Sequence, residues 1–173
     1  LFYKCNGLKS IKIPDTVTEI GKWAFYSCEK LENVILSSNL TTIEYAAFLE
    51  CKKIDGVELP LSMLKIYALA FGNCISLKKI NIPKNMVHIG YAPVSYTIYG
   101  AFDGCSSLEE VEFENGITKI SDYLFYKCNG LKSIKIPDTI TEIGKFAFYN
   151  SKNLTEITLG SSINKINVGW FGG

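Results

Sequence analysis

The sequence predicts a repeat solenoid: units of 23 residues stacked as rungs, with parallel β-strands on one face and short helical turns on the other. Three observations predict it. Phenylalanine returns every 23 residues at Phe2, Phe25, Phe48 and Phe71, and again at Phe102, Phe125, Phe148 and Phe171. Several other positions keep the same step, so whole units are repeated and not one residue type. A unit this short cannot bury its own apolar face and must stack on its neighbours.

The elements follow in order along a unit. Three residues after phenylalanine stand Cys5, Cys28, Cys51, Cys74, Cys105 and Cys128, then Ser151. Six after it come Leu8, Leu31, Ile54, Leu77, Leu108, Leu131 and Leu154. The next pairs alternate with polar residues, as in Ser10-Ile11-Lys12-Ile13, which is the period of a half-buried strand. Pro14, Pro60, Pro83 and Pro137 end that strand, because proline has no N–H for the ladder. A second short extended piece is expected at Thr18-Glu19-Ile20 and its copies, carrying the invariant isoleucine (Ile20, Ile43, Ile66, Ile89, Ile120, Ile143, Ile166). Gly21, Gly90 and Gly144 then turn the chain. Ala24, Phe25 and Cys28, at three-to-four spacing, suit one short helical turn, and Ser121-Asp122 would cap it in its rung. Parallel pairing would give seven rungs a length on the order of 35 Å.

Composition bounds the function. Apolar residues make up 47% of the chain, so it folds, and the formal net charge is +1. No arginine occurs, which removes the bidentate fork used for phosphates and guanine edges, and no basic block replaces it. A nucleic-acid partner is therefore not expected. No apolar run reaches the length of a membrane span. The chain starts and stops inside a repeat, so the expectation is one array over residues 1–173 belonging to a longer protein.

These units resemble leucine-rich repeats, and in particular the BspA-like class of surface proteins. Leu8-x-x-Ile11-x-Ile13 follows the general pattern, and Asn39 and Asn85 fall where that pattern ends in asparagine. Ala24-Phe25-x-x-Cys28, Ile13-Pro14 and Ile20-Gly21 are the BspA-like part. The resemblance implies an extracellular or cell-surface binding or adhesion scaffold for a host protein or glycan, without catalysis. The alternative is a structural spacer that projects another domain and has no ligand of its own. Residues 1–28 and 124–151 differ only at Val17/Ile140, Trp23/Phe146, Ser27/Asn150 and Cys28/Ser151, and outward positions match as well as inward ones. A block duplication accounts for that identity.

No constellation of residues signals chemistry. The cysteines share the apolar register, and a serine fills the seventh place, which reads as small buried side chains; one cysteine per rung makes a line and not a metal tetrahedron. His88, the only histidine, lies beside inward Ile89 and should face solvent. No catalytic residue, cofactor or metal ligand is assigned. Two regions are candidate binding surfaces. On the strand face the charged outward residues are Lys12, Glu58, Lys79, Glu110, Glu112 and Lys135; this face lacks the Tyr, Trp and Arg that favour hot spots. The second is an insertion of eight residues, near 91–98, that lengthens the interval between Phe71 and Phe102. It brings Tyr91, Pro93, Tyr96 and Tyr99, which either bind a ligand or pack back on the scaffold.

Overall fold

The computed structural model describes residues 2–91 and 99–169. Each rung contributes two short strands. In chain order these are β1 (Ser10–Lys12) and β2 (Glu19–Ile20), β3 (Asn33–Ile35) and β4 (Thr42–Ile43), and β5 (Gly56–Val57) and β6 (Lys65–Tyr67). Then follow β7 (Lys79–Ile82) and β8 (His88–Tyr91), β9 (Glu110–Phe113) and β10 (Lys119–Ile120), β11 (Ser133–Lys135) and β12 (Glu142–Ile143), and β13 (Glu156–Thr158) and β14 (Lys165–Ile166).

These strands pair in parallel and one repeat apart: Ser10 faces Asn33, Glu19 faces Thr42, and Ile134 faces Ile157. The first strands of the rungs form one column, divided into β1-β3-β5-β7-β9 and β11-β13; the second strands form another, β2-β4-β6-β8 and β10-β12-β14. The second column divides where the insertion lies. The first divides one rung later, beside Phe113, whose ring stands edge-on to Phe125 at 6.2 Å where other rungs carry Ile or Leu.

A spine of phenylalanines crosses both divisions. Phe2, Phe25, Phe48, Phe71, Phe102, Phe125 and Phe148 stack in sequence with centroids 5.0 to 5.6 Å apart and planes within 11°. Phe48, Phe71, Phe102 and Phe125 have no exposed surface. Each burial is worth about 2–3 kcal/mol, and each ring pair about 1 kcal/mol more. The cysteine line runs beside this spine. Each thiol donates to the phenylalanine carbonyl of the rung before: Cys28 to Phe2 (2.9 Å), Cys51 to Phe25 (3.0 Å), Cys74 to Phe48 (3.3 Å), Cys105 to Phe71 (3.1 Å) and Cys128 to Phe102 (3.3 Å). Ser151 Oγ makes the same bond to the Phe125 carbonyl at 3.0 Å, which is why serine can stand in the seventh place. The position selects a small donor, beyond a small apolar filler.

The expected helical turns are not formed among the described residues. The segment around each phenylalanine is a run of tight turns with i→i−3 bonds, such as Tyr26 N to Trp23 O and Cys28 N to Phe25 O. The intervening N–H groups leave the rung altogether: Trp23, Phe25 and Ser27 donate to the carbonyls of Tyr45, Ala47 and Leu49 in the next rung. Ala46, Phe48 and Glu50 do the same to Ala68, Ala70 and Gly72. A helix would keep those donors internal. The residues two before and two after phenylalanine also hold positive φ, for example Trp23 at 54°, Ser27 at 55°, Phe146 at 55° and Asn150 at 60°, which a right-handed helix excludes. Three-to-four spacing fits a run of tight turns as well as a helix, and the demand for inter-rung bonds decided between them. Asp122 likewise caps nothing: its Oδ1 accepts from Lys145 N one rung on, at 2.8 Å.

Candidate functional site

Besides its division at Phe113, the first-strand column is irregular around β5. Gly56 occupies an outward position that in other rungs carries Ser, Asn, Lys or Glu, and the space where its side chain would stand is open. β5 is only two residues long, and beyond Val57 the ladder to β7 is completed by a side chain. Asn81 Oδ1 accepts from Leu59 N and Asn81 Nδ2 donates to Leu59 O, both at 2.9 Å. By folding onto the backbone, Asn81 removes a second outward side chain. The result is a groove of about 900 Å³ across the strand face.

Its lining is mixed. Ile35 and Leu61, each 59% exposed, supply apolar surface. Glu58, Lys79, Glu112 and Glu114 supply the charges. Lys79 Nζ lies 2.8 Å from Glu112 and 3.5 Å from Glu110, and it holds the Glu112 carboxyl below its ordinary pKa. With its single lysine engaged, the groove carries excess negative charge. An adjoining depression of about 520 Å³ shares Asn81, Glu112 and Glu114 and reaches Lys135 and Pro137.

The structure therefore gathers Glu58, Lys79 and Glu112 at the groove, joins Glu110 to them through Lys79, and places Lys135 at the adjoining depression. It does not bring in Lys12, which lies on β1 beyond β3. In the insertion region, Tyr91 closes β8 with its backbone opposite Tyr67, and Tyr99 is 43% exposed. Pro93 and Tyr96 lie outside the described residues. Sequence reading passed over Gly56, Asn81, Ile35 and Leu61 as contributors to a site. The available signal was the one outward strand position with no side chain.

Among the described residues no three His, Cys, Asp or Glu side chains converge to hold a metal. Burial pushes the Cys51 thiol up to about 12, and raises Cys74, Cys105 and Cys128 as well, so these sulfurs stay protonated and unreactive. Asp103 is the exception among acids: burial lifts it to about 6, against a small opposing effect of Lys127, at the rung that follows the insertion. No helix among the described residues is long and apolar enough to cross a membrane.

Comparison with known proteins agrees with this architecture. The sequence profile of the BspA type leucine rich repeat region matches residues 1–99 and 92–173, in six copies. A leucine-rich repeat protein from Bacteroides ovatus is 31% identical, with a TM-score of 0.84 over 99% of this chain and 43% of its own. A leucine rich cell surface protein from Faecalibacterium prausnitzii is 32% identical, with a TM-score of 0.72 over 91% of this chain and 40% of its own. The leucine rich repeat protein of T. pallidum is 29% identical, with a TM-score of 0.78 over 89% of this chain and 68% of its own. The chain thus spans about two fifths of the first two of these structures. No curated protein matches the sequence.

Proposed function

The chain belongs to the BspA-type leucine-rich repeat family, and from that premise we propose that it is a non-catalytic binding scaffold of a surface or secreted protein. Its ligand is a segment of another protein held on the strand face. One observation carries this reading: over Gly56 the strand face opens into a groove, with exposed aliphatic side chains beside unbalanced carboxylates. Such a surface complements a segment presenting an apolar side chain next to a basic one. The pairing of buried apolar contact with charge matching is what gives polar repeat surfaces their selectivity. The cell-surface description of the F. prausnitzii neighbour supports a surface location. Binding of a host protein, or of a glycan, is the adhesion role that this location suits.

The test is a screen against host proteins and glycans with three forms of the chain: intact, Gly56→Trp, and lacking residues 91–98. An indole at position 56 enters open space and fills the groove, so the unfolding midpoint should not move. Loss of at least tenfold in affinity for a protein ligand is expected from Gly56→Trp. Equal binding by this variant removes the groove from the reading, and equal binding by the deletion removes the insertion. A chain that binds nothing in any form is a spacer.

A further inference from the structure

The turn that joins the first strand of each rung to the second forms an edge of the solenoid. In two middle rungs this edge changes character. The residue just before the second strand is Thr18, Thr41, Thr118, Thr141 or Asn164 in five rungs, but Leu64 and Val87 in the third and fourth. Thr41 and Thr141 show the ordinary use of the position. Each Oγ1 donates to the carbonyl of the threonine one rung back, at 3.0 and 3.1 Å. Leu64 and Val87 have no such donor, and they stand 38% and 65% exposed. They are neighbours, since Val87 N donates to Leu64 O at 2.8 Å.

The aliphatic surface extends from there to the groove. Three residues before Leu64 stands Leu61, where other rungs carry Asp, Ser, Lys or Asn. Leu61 lines the groove over Gly56, and a tight turn closed by Met63 N on Pro60 O brings the chain from it to Leu64. One strip of exposed aliphatic side chains thus leaves the groove at Leu61 and rounds the edge to Leu64 and Val87.

Charge changes sign along this strip. No Asp or Glu occurs between Glu58 and Asp103, whereas four lysines do. Two of these flank the strip: Lys65 follows Leu64, and Lys84 holds in the fourth rung the place of Leu61 in the third. Neither has an ion-pair partner among the described residues. In the same columns the acids are Asp15 and Glu19 of the first rung, and Asp138 and Glu142 of the sixth. They lie two rungs, or about 10 Å, to either side. Off the edge, Glu44 follows β4, and Glu58 and Glu114 line the groove, where Glu114 accepts from Lys84 N at 3.3 Å. The groove is acidic and the edge beside it is basic.

This arrangement selects its occupant. A strip two rungs wide suits a single polypeptide segment. A flat anionic bilayer laid on the edge would meet the carboxylates of the first and sixth rungs as well. Resting on the groove as the site of a protein ligand, we propose that the ligand segment continues over the Leu61 turn onto Leu64 and Val87. Its basic residue lies over the groove, its aliphatic residues follow the strip, and an acidic residue ends between Lys65 and Lys84. Opposite charges at the two ends fix the direction in which the segment lies.

The probe is a phage-displayed library of random dodecapeptides, selected on the intact chain. Enriched peptides should carry a Lys or Arg separated by aliphatic residues from an Asp or Glu. Two variants borrow residues that the same columns already hold, so thermal unfolding should barely move. Leu64→Thr with Val87→Thr removes the strip beyond the groove, and Lys65→Glu with Lys84→Asp reverses the charge. Each should bind the selected peptides at least tenfold more weakly. The charge-reversed variant should regain binding when the acidic residue of the peptide is exchanged for lysine. Full-strength binding by either edge variant, with Gly56→Trp still impaired, overturns the continuation and leaves the groove reading standing. Full-strength binding by Gly56→Trp overturns both. Failure to enrich any peptide overturns the continuation alone, because the groove is judged by the host-protein screen. Binding to phosphatidylserine vesicles that both edge variants lose would make the edge a membrane contact, and overturns it too.

Discussion

Residues 1–28 and 124–151 are almost the same sequence in two settings, and they do not make the same structure. Phe125, Cys128 and Leu131 are fully buried, and Ile134 nearly so; their counterparts Phe2, Cys5, Leu8 and Ile11 are only half-buried. The backbone is unchanged: Lys4 and Lys127 hold φ of 55° and 60°, and β1 and β11 span equivalent residues. What differs is the rung on the N-terminal side. Phe125 is stacked between Phe102 and Phe148, whereas Phe2 meets Phe25 alone among the described residues. Local conformation is thus written in each unit, but burial, and with it most of the stability, belongs to the contact between units.

That separation is open to direct attack. The largest contrast should come from the spine: Phe125→Ala should cost about 3–5 kcal/mol in denaturant unfolding, and Phe2→Ala no more than about 1–2 kcal/mol. Equal losses would mean that stability is intrinsic to the unit. Asp103 sharpens the comparison from between the two copies, at a position that is Tyr3 and Tyr126 in them. Its folded pKa of about 6 lies above the unfolded value, so its favourable contribution is complete below about pH 4 and lost as pH rises to 6. Asp103→Asn should therefore stabilise the chain at pH 7 by about 2 kcal/mol and flatten the stability profile between pH 4 and 6.

The thiols offer a middle-sized contrast. Cys128→Ala leaves the Phe102 carbonyl short of a donor and should cost about 1–2 kcal/mol, while Cys128→Ser should be better tolerated because Ser151 already makes the equivalent bond. In native protein a thiol reagent should modify Cys5 quickly and the five buried cysteines only on unfolding. Rapid reaction of all six would contradict the rung packing. The smallest effect separates Glu19 from Glu142, the same residue in the two copies. Glu142 lies 3.3 Å from Lys119 and 3.0 Å from Lys165, which with Asn167 lower its pKa to about 2. Its contribution is present above about pH 4.5 and lost as pH falls toward 2. Glu142→Gln should cost about 0.5 kcal/mol in low salt and nothing in high salt, with no measurable loss for Glu19→Gln.

The ladders were readable in the sequence because every rung repeats its inward residues at fixed spacing, and seven copies of Ile20 leave one register. The turn face was misread for a physical reason. Left-handed backbone is ordinarily announced by Gly or Asn, but here Trp23, Leu69 and Tyr123 adopt it, held by bonds to the next rung, and Phe146 adopts it as well. The strand-face charges were readable as outward residues, and the groove was not. It depends on Asn81 turning down to Leu59 beside Gly56, an event between rungs that no single repeat displays.

The inter-rung bonds of the turn column have a further consequence. In the strand columns they run both ways, since Ile13 N donates forward to Ile35 and Glu32 N back to Lys9, and their dipoles largely cancel. In the turn column those of Trp23, Phe25, Ser27, Ala46, Phe48 and Glu50 all run forward. The peptide groups there add head to tail along the stack, as in a helix, but with the positive end toward the C-terminal rungs. The solenoid is electrically polar along its length.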